Sequence, residues 1–159
     1  MKLKLRVILN VKTDVLRDII IDSKVTLKEM SGIITESFGF DSTEISTFHH
    51  TNEDWELLEE IKIFKIDESD ISMENSPISN FLIFNGDKII FIYDFLNYWT
   101  FFIELFDIDE KIEEEFKFKC INSIGTVPSE APSDIYNSID QDIEDNSFDN
   151  DDSLTNNEL

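Results

Sequence analysis

From Trp99 the chain alternates with the period of a strand. Trp99, Phe101, Ile103 and Leu105 are apolar, and Tyr98, Thr100, Phe102 and Glu104 between them are mixed. Successive strand side chains point to opposite faces, so this pattern makes one core face and one partly wet face. The run Lys88-Ile-Ile-Phe-Ile-Tyr93 just before it is β-branched and aromatic, as strands prefer. The two runs predict a hairpin over residues 88–107, and residues 91–105 alone hold seven aromatic side chains. Asn97 sits at the turn and tolerates backbone geometry that most residues resist. The hairpin demands a sheet, and the rest of the chain must supply its other strands and its cover.

Leu3, Leu5, Val7 and Leu9 alternate with Lys2, Lys4 and Arg6, which predicts a half-buried strand. Residues 15–21 predict a second strand and an N-terminal hairpin. Thr26 opens a helix, because Thr26 and Glu29 have capping-box spacing. Leu27, Met30, Ile33, Ile34 and Phe38 then share one face, and Gly39 is placed to end the helix. Residues 45–50 read as a third strand, and residues 55–64 fit helix or extended chain. Residues 67–76 read as loop, residues 78–82 as a short helical turn after Pro77, and the region 116–121 as a last strand. The order ββαβ…ββ predicts an α+β domain, with one main helix against a mostly antiparallel sheet in a β-grasp-like roll.

Three ordered segments resemble the plasmid pRiA4b ORF-3-like family, whose members are also labelled insertion-element passenger proteins. Tyr93-Asp94-Phe95-x-x-x-Trp99 resembles the family's Tyr-Asp-Phe-Gly-Asp-Gly-Trp hallmark. The helix from Thr26 to Phe38-Gly39-Phe40 resembles one ending in Phe-Gly-Trp. Residues 120–132, with Cys120, Gly125 and Pro128, resemble its Cys-x-x-Gly-x-x-x-x-Pro-Pro-Glu-Asp close. The resemblance covers residues 1–132 and implies a compact α+β roll and a link to bacterial plasmids and mobile elements, without a reaction. Leu96 and Tyr98 stand where the family turn has glycines, Asn97 where it has an acid, and Glu44-Ile45-Ser46 where it commonly has His-Leu-His.

Charge narrows the function. Of 159 residues, 35 are Asp or Glu and 13 are Lys or Arg, a formal net charge of −22. The stretch from Ser133 onward carries nine acids and no Lys or Arg, which leaves −13 on residues 1–132. Such a field opposes phosphate backbones, so no nucleic-acid partner is expected. Seven basic residues fall in the first 28 positions. Residues 133–159 have too little apolar surface to offset ordering entropy and are expected to form a disordered acidic tail. No stretch is long and apolar enough for a membrane span or a signal peptide. A single cysteine excludes an internal disulfide and a cysteine zinc cluster, and a reduced cytoplasmic setting is expected.

Candidate chemistry is sparse. His49 and His50 are adjacent, so a regular strand sends them to opposite faces. Cys120 has no base near it in sequence and reads as a half-buried strand residue. Asp149-x-Asp151-x-Ser153 begins like a calcium loop, but Leu154 occupies the glycine position. Phosphate loops, nucleophile elbows and zinc motifs are absent, so no catalytic, cofactor or metal residues are assigned. The expected function is a non-enzymatic interaction module for an unidentified protein partner, with Asp94, Leu96, Asn97 and Tyr98 as the candidate contact residues. Two alternatives stand beside it. One is an enzyme or metal-binding protein using Asp94, Glu104 and His49 or His50. The other is an acidic DNA mimic.

Overall fold

A computed structural model describes residues 1–133. The expected tail, apart from Ser133, lies outside the described residues, as does the calcium-like run. Strands β1 (Lys2–Leu9) and β2 (Leu16–Asp22) form the N-terminal hairpin, followed by the helix α1 (Leu27–Phe38). Then come β3 (Ser46–His50), β4 (Glu60–Ile61), a 3-10 turn (Ile78–Asn80), β5 (Lys88–Tyr93), β6 (Trp99–Asp109) and β7 (Phe118–Ile124). The seven strands form one sheet in the order β4-β3-β5-β6-β1-β2-β7. Each pairing is antiparallel, so the domain is α+β as the sequence predicts.

The helix begins and ends on its own signals. The Thr26 hydroxyl accepts from the Glu29 N–H at 3.2 Å, and the Glu29 carboxylate accepts from the Thr26 N–H at 3.0 Å. At the other end Gly39 turns left-handed (φ 83°), a conformation that glycine adopts without a Cβ penalty. Its N–H donates to Glu36 O, and the Phe40 N–H donates to Thr35 O. Between the ends, Leu27, Met30, Ile33, Ile34 and Phe38 are buried.

That face packs on the odd-numbered side chains of the sheet. Leu3, Leu5, Val7 and Leu9 join Trp99, Phe101, Ile103 and Leu105 in one core with the helix. Phe38 meets Phe101 edge-on at 4.9 Å between ring centroids, and Phe48, Phe91 and Phe101 are wholly buried. Each such ring contributes about 1.5–3 kcal/mol relative to an exposed one. Arg17 closes one end, donating to Ser37 O, Ile124 O and Gly125 O while its guanidinium lies over the Phe38 ring.

Two bulges explain where the alternation slips. Lys4 pairs with Asp107 but Leu5 with Leu105, so Phe106 is left over and exposed. Asp18 pairs with Asn122 but Ile19 with Cys120, so Ile121 is left over in β7. A bulge in an edge strand discourages further pairing. The edge position also corrects the reading of Cys120, which is exposed rather than half-buried, because β7 has a neighbour on one side only. This strand runs on to Ile124, three residues past its predicted end. Residues 55–64 form no helix, and their strand is the two-residue β4.

Candidate functional site

The three motif segments meet at one end of the domain. A cleft of about 420 Å³ is lined by Gly39, Phe40 and Asp41 after the helix and by Tyr93, Asp94, Asn97 and Trp99 of the hairpin. Glu44 and residues Pro128, Ser129 and Ala131 of the closing segment complete it. The Phe40 ring is the hinge of this arrangement. It lies 5.2 Å from both Tyr93 and Trp99 and meets Phe101 edge-on at 6.1 Å.

The hairpin turn is held from within. The Asp94 carboxylate accepts from the N–H groups of Leu96 (3.1 Å) and Asn97 (3.4 Å) and from the Asn97 side chain. The Asp94 N–H donates to Ile45 O at 2.9 Å, which ties the turn to β3. Asp94 is only 8% exposed. The left-handed residues are Asp94 (φ 61°) and Tyr98 (φ 57°), not Asn97. Tyr98 thus adopts the glycine-favouring geometry without a glycine. Its ring is half-buried, which pushes its hydroxyl above the usual tyrosine range, with Glu60 adding to the effect.

Around the cleft, the Tyr93 hydroxyl donates to Asp41 Oδ1 at 2.9 Å and accepts from the Glu44 N–H at 3.3 Å. Burial raises the Tyr93 pKa, and the Asp41 carboxylate reinforces that. Asp41 is itself held below the usual carboxylate range, first by the Thr43 hydroxyl and N–H and then by Tyr93. Asp41, Glu44, Phe40 and the closing segment were not singled out from sequence as contact residues. Their signals in the sequence are the Phe38-Gly39-Phe40 and Pro128 motifs and the place of Glu44-Ile45-Ser46 where the family commonly has His-Leu-His.

Of the four sequence-predicted contact residues, Asp94 works inward, Tyr98 is half-buried, and Asn97 and Leu96 face solvent. Leu96 is 82% exposed, and Phe95 before it and Ile45, whose carbonyl accepts from the Asp94 N–H, are exposed as well. The other candidates are not brought together. His49 pairs with Ile90 and rests its Nδ1 against Leu58 O, while His50 stacks near Phe81. Glu104 pairs with Lys88, at the far end of β5 from Asp94. Among the described residues no three His, Cys, Asp or Glu side chains are grouped to hold a metal ion.

The basic residues of the N-terminal region are largely consumed by the protein's own acids. Lys2 pairs with Asp22 at 2.9 Å, Lys4 with Asp107 at 2.9 Å, and Arg6 bidentately with Asp18 at 2.8 and 2.9 Å. Arg6 holds the Asp18 carboxyl below its ordinary range. The basic side chains of β1 thus lie between acids of β2 and acids of β6. No helix among the described residues is long and apolar enough to cross a membrane.

A model of the plasmid pRiA4b ORF-3-like proteins matches residues 1–155. The chain belongs to this family. The match extends past the closing motif and so spans nearly the whole sequence. A crystal structure of a protein of unknown function, MM3350 from Methanosarcina mazei Go1, has a similar fold, with a TM-score of 0.66 at 16% identity. The similarity covers 90% of this chain and 81% of that one. No curated protein matches. Within the family's turn motif, this chain keeps the aspartate that organises the loop and the tryptophan that seats it. It replaces the glycines with Leu96 and Tyr98.

Proposed function

We propose that this family member is a non-enzymatic interaction module that engages a protein partner through the 94–98 turn and the cleft beside it. The observation that carries the reading is the exposed apolar trio Ile45, Phe95 and Leu96, set on a turn that Asp94 fixes from beneath. An apolar tip on a rigid base loses little conformational entropy on docking. A large exposed apolar side chain at such a tip suits the anchor of a contact surface. A nucleic-acid partner is disfavoured, because Lys2, Lys4 and Arg6 are already paired with acids and the net charge is −22.

The test is affinity capture with the wild-type chain and with Leu96→Asp and Phe95→Ser, followed by reconstitution with the purified partner. The reading expects one protein that binds directly and is lost with both variants, while their thermal unfolding stays near wild type. Retention of the same partner by both variants would refute it.

A further inference from the structure

We propose that the partner presents a basic segment, with Lys or Arg spaced among apolar side chains, and that it lies in a groove running along α1 into the cleft. This rests on the interaction-module reading above and names the chemistry of the partner. A second hollow, of about 660 Å³, adjoins the cleft and shares Gly39, Phe40 and Asp41 with it. Glu29, Gly32, Ile33 and Glu36 of α1 form one flank, and Lys117 and Phe118 the other. Ile33 is buried and Phe40 and Phe118 are half-buried, so the floor is apolar.

Two features mark this groove as a place of approach. Gly32 sits in the middle of α1, where glycine is a poorer helix former than alanine. A Cβ there would meet nothing within 4 Å, so no neighbour in the described chain requires the glycine. Bare backbone at a groove wall suits close approach by another chain. The walls are also acidic in a directed way. The side chains of Glu36 and Glu44 make no hydrogen bond or ion pair among the described residues, and Asp41 stands between them in the groove. Lys117 of the groove wall already shows the favoured contact, with its Nζ 3.0 Å from Glu29.

Charge selects the occupant. Residues 134–159 carry nine acids and no Lys or Arg, and a second copy of the chain carries −22. Both are repelled by acidic walls, whereas a basic segment is attracted to them. An apolar floor between acidic walls takes side chains that alternate in the same way.

The experiment uses the full chain and a short fluorescent peptide of mixed Lys and Leu, with a Glu-for-Lys peptide as its counterpart, read by anisotropy. The Lys peptide binds and the Glu peptide does not. The double variant Glu36→Lys/Glu44→Lys weakens binding by about tenfold or more, since close charge reversal costs kcal/mol rather than tenths. Gly32→Leu, which fills the groove and favours helix, also weakens it. Glu59→Lys/Glu68→Lys, an equal charge change on exposed residues elsewhere, changes affinity less than about twofold, as expected of distant screened charges. Equal loss in the two double variants would mean whole-protein attraction and overturn the groove. So would a failure of the Lys peptide to bind. If that failure came with a partner still lost on Leu96→Asp, the module would stand and only the basic occupant would fall. Circular dichroism of each variant separates lost binding from lost fold.

Discussion

The Tyr98 N–H donates to the Asp94 carbonyl at 2.5 Å, and both residues are left-handed. The hairpin therefore closes on two non-glycine residues in a conformation that costs each about 1–2 kcal/mol. The Asp94 carboxylate offsets this with its three bonds into the turn. Asp94→Ala should destabilise the domain by about 1.5–3 kcal/mol, the range for hydrogen bonds to a charged group. Asp94→Gly should lose less, by roughly 1 kcal/mol, because glycine relieves the strain. Denaturant unfolding of the two variants gives the comparison, and equal losses would mean that backbone strain at Asp94 is negligible.

Trp99 is a core residue. It is 7% exposed and packs on Phe40 at 5.2 Å. Trp99→Ala should cost about 3–5 kcal/mol. A variant that unfolds like the wild type but fails to bind a partner would move Trp99 to the interaction surface.

Gly125 is fixed by contact as well as by conformation. Its φ is 75°, and a Cβ would lie 2.0 Å from Asp14 O. Gly125→Ala should destabilise by about 2–5 kcal/mol, combining left-handed strain with overpacking against backbone. Loss of the Arg17 bonds to Ile124 O and Gly125 O should accompany it, visible as faster amide exchange along β7.

Thr47 is the opposite case. Its buried hydroxyl has no hydrogen-bond partner among the described residues. Thr47→Val removes an unsatisfied polar group and keeps the shape, so stability should hold or rise by up to about 1 kcal/mol. A clear loss in thermal unfolding would show that the hydroxyl is hydrated or bonded in solution.

Asp70 anchors the loop after β4. The N–H groups of Asp67 and Ile66, with the Lys62 ammonium, hold its carboxyl down to about 2. A depressed carboxylate stabilises fully above its ordinary value of 3.8, and that contribution is lost as pH falls through about 2. Amide exchange at Ile66 and Asp67 should therefore quicken relative to the rest of the domain between those limits. In Asp70→Asn the acid-dependent part of that change should vanish.

What the sequence made legible was local. Thr26 with Glu29 and Gly39 marked both ends of α1, because caps act within a single turn. The alternation from Trp99 placed the core face of β6 as far as Leu105, where the Phe106 bulge ends it. Three things required the assembled sheet. Cys120 is exposed because β7 is an edge, and strand order is not written in local pattern. Asn97 has the better turn propensity, yet strand twist and the Ile45 contact put the left-handed geometry on Asp94 and Tyr98. The cleft joins Phe40 to Pro128 across most of the chain, and only tertiary packing brings such residues together.

The place of β1 between β6 and β2 has a consequence for how the protein is made. As the chain is made, β1 cannot complete its pairing until Trp99–Asp109 has followed it. Through that interval the nascent N-terminal hairpin offers Leu3, Leu5, Val7 and Leu9 and one bare edge to whatever is nearby. Non-local closure of this kind is slow and leaves newly made chains open to mispairing. Synthesis thus leaves this domain's hydrophobic centre waiting until β6 has been made.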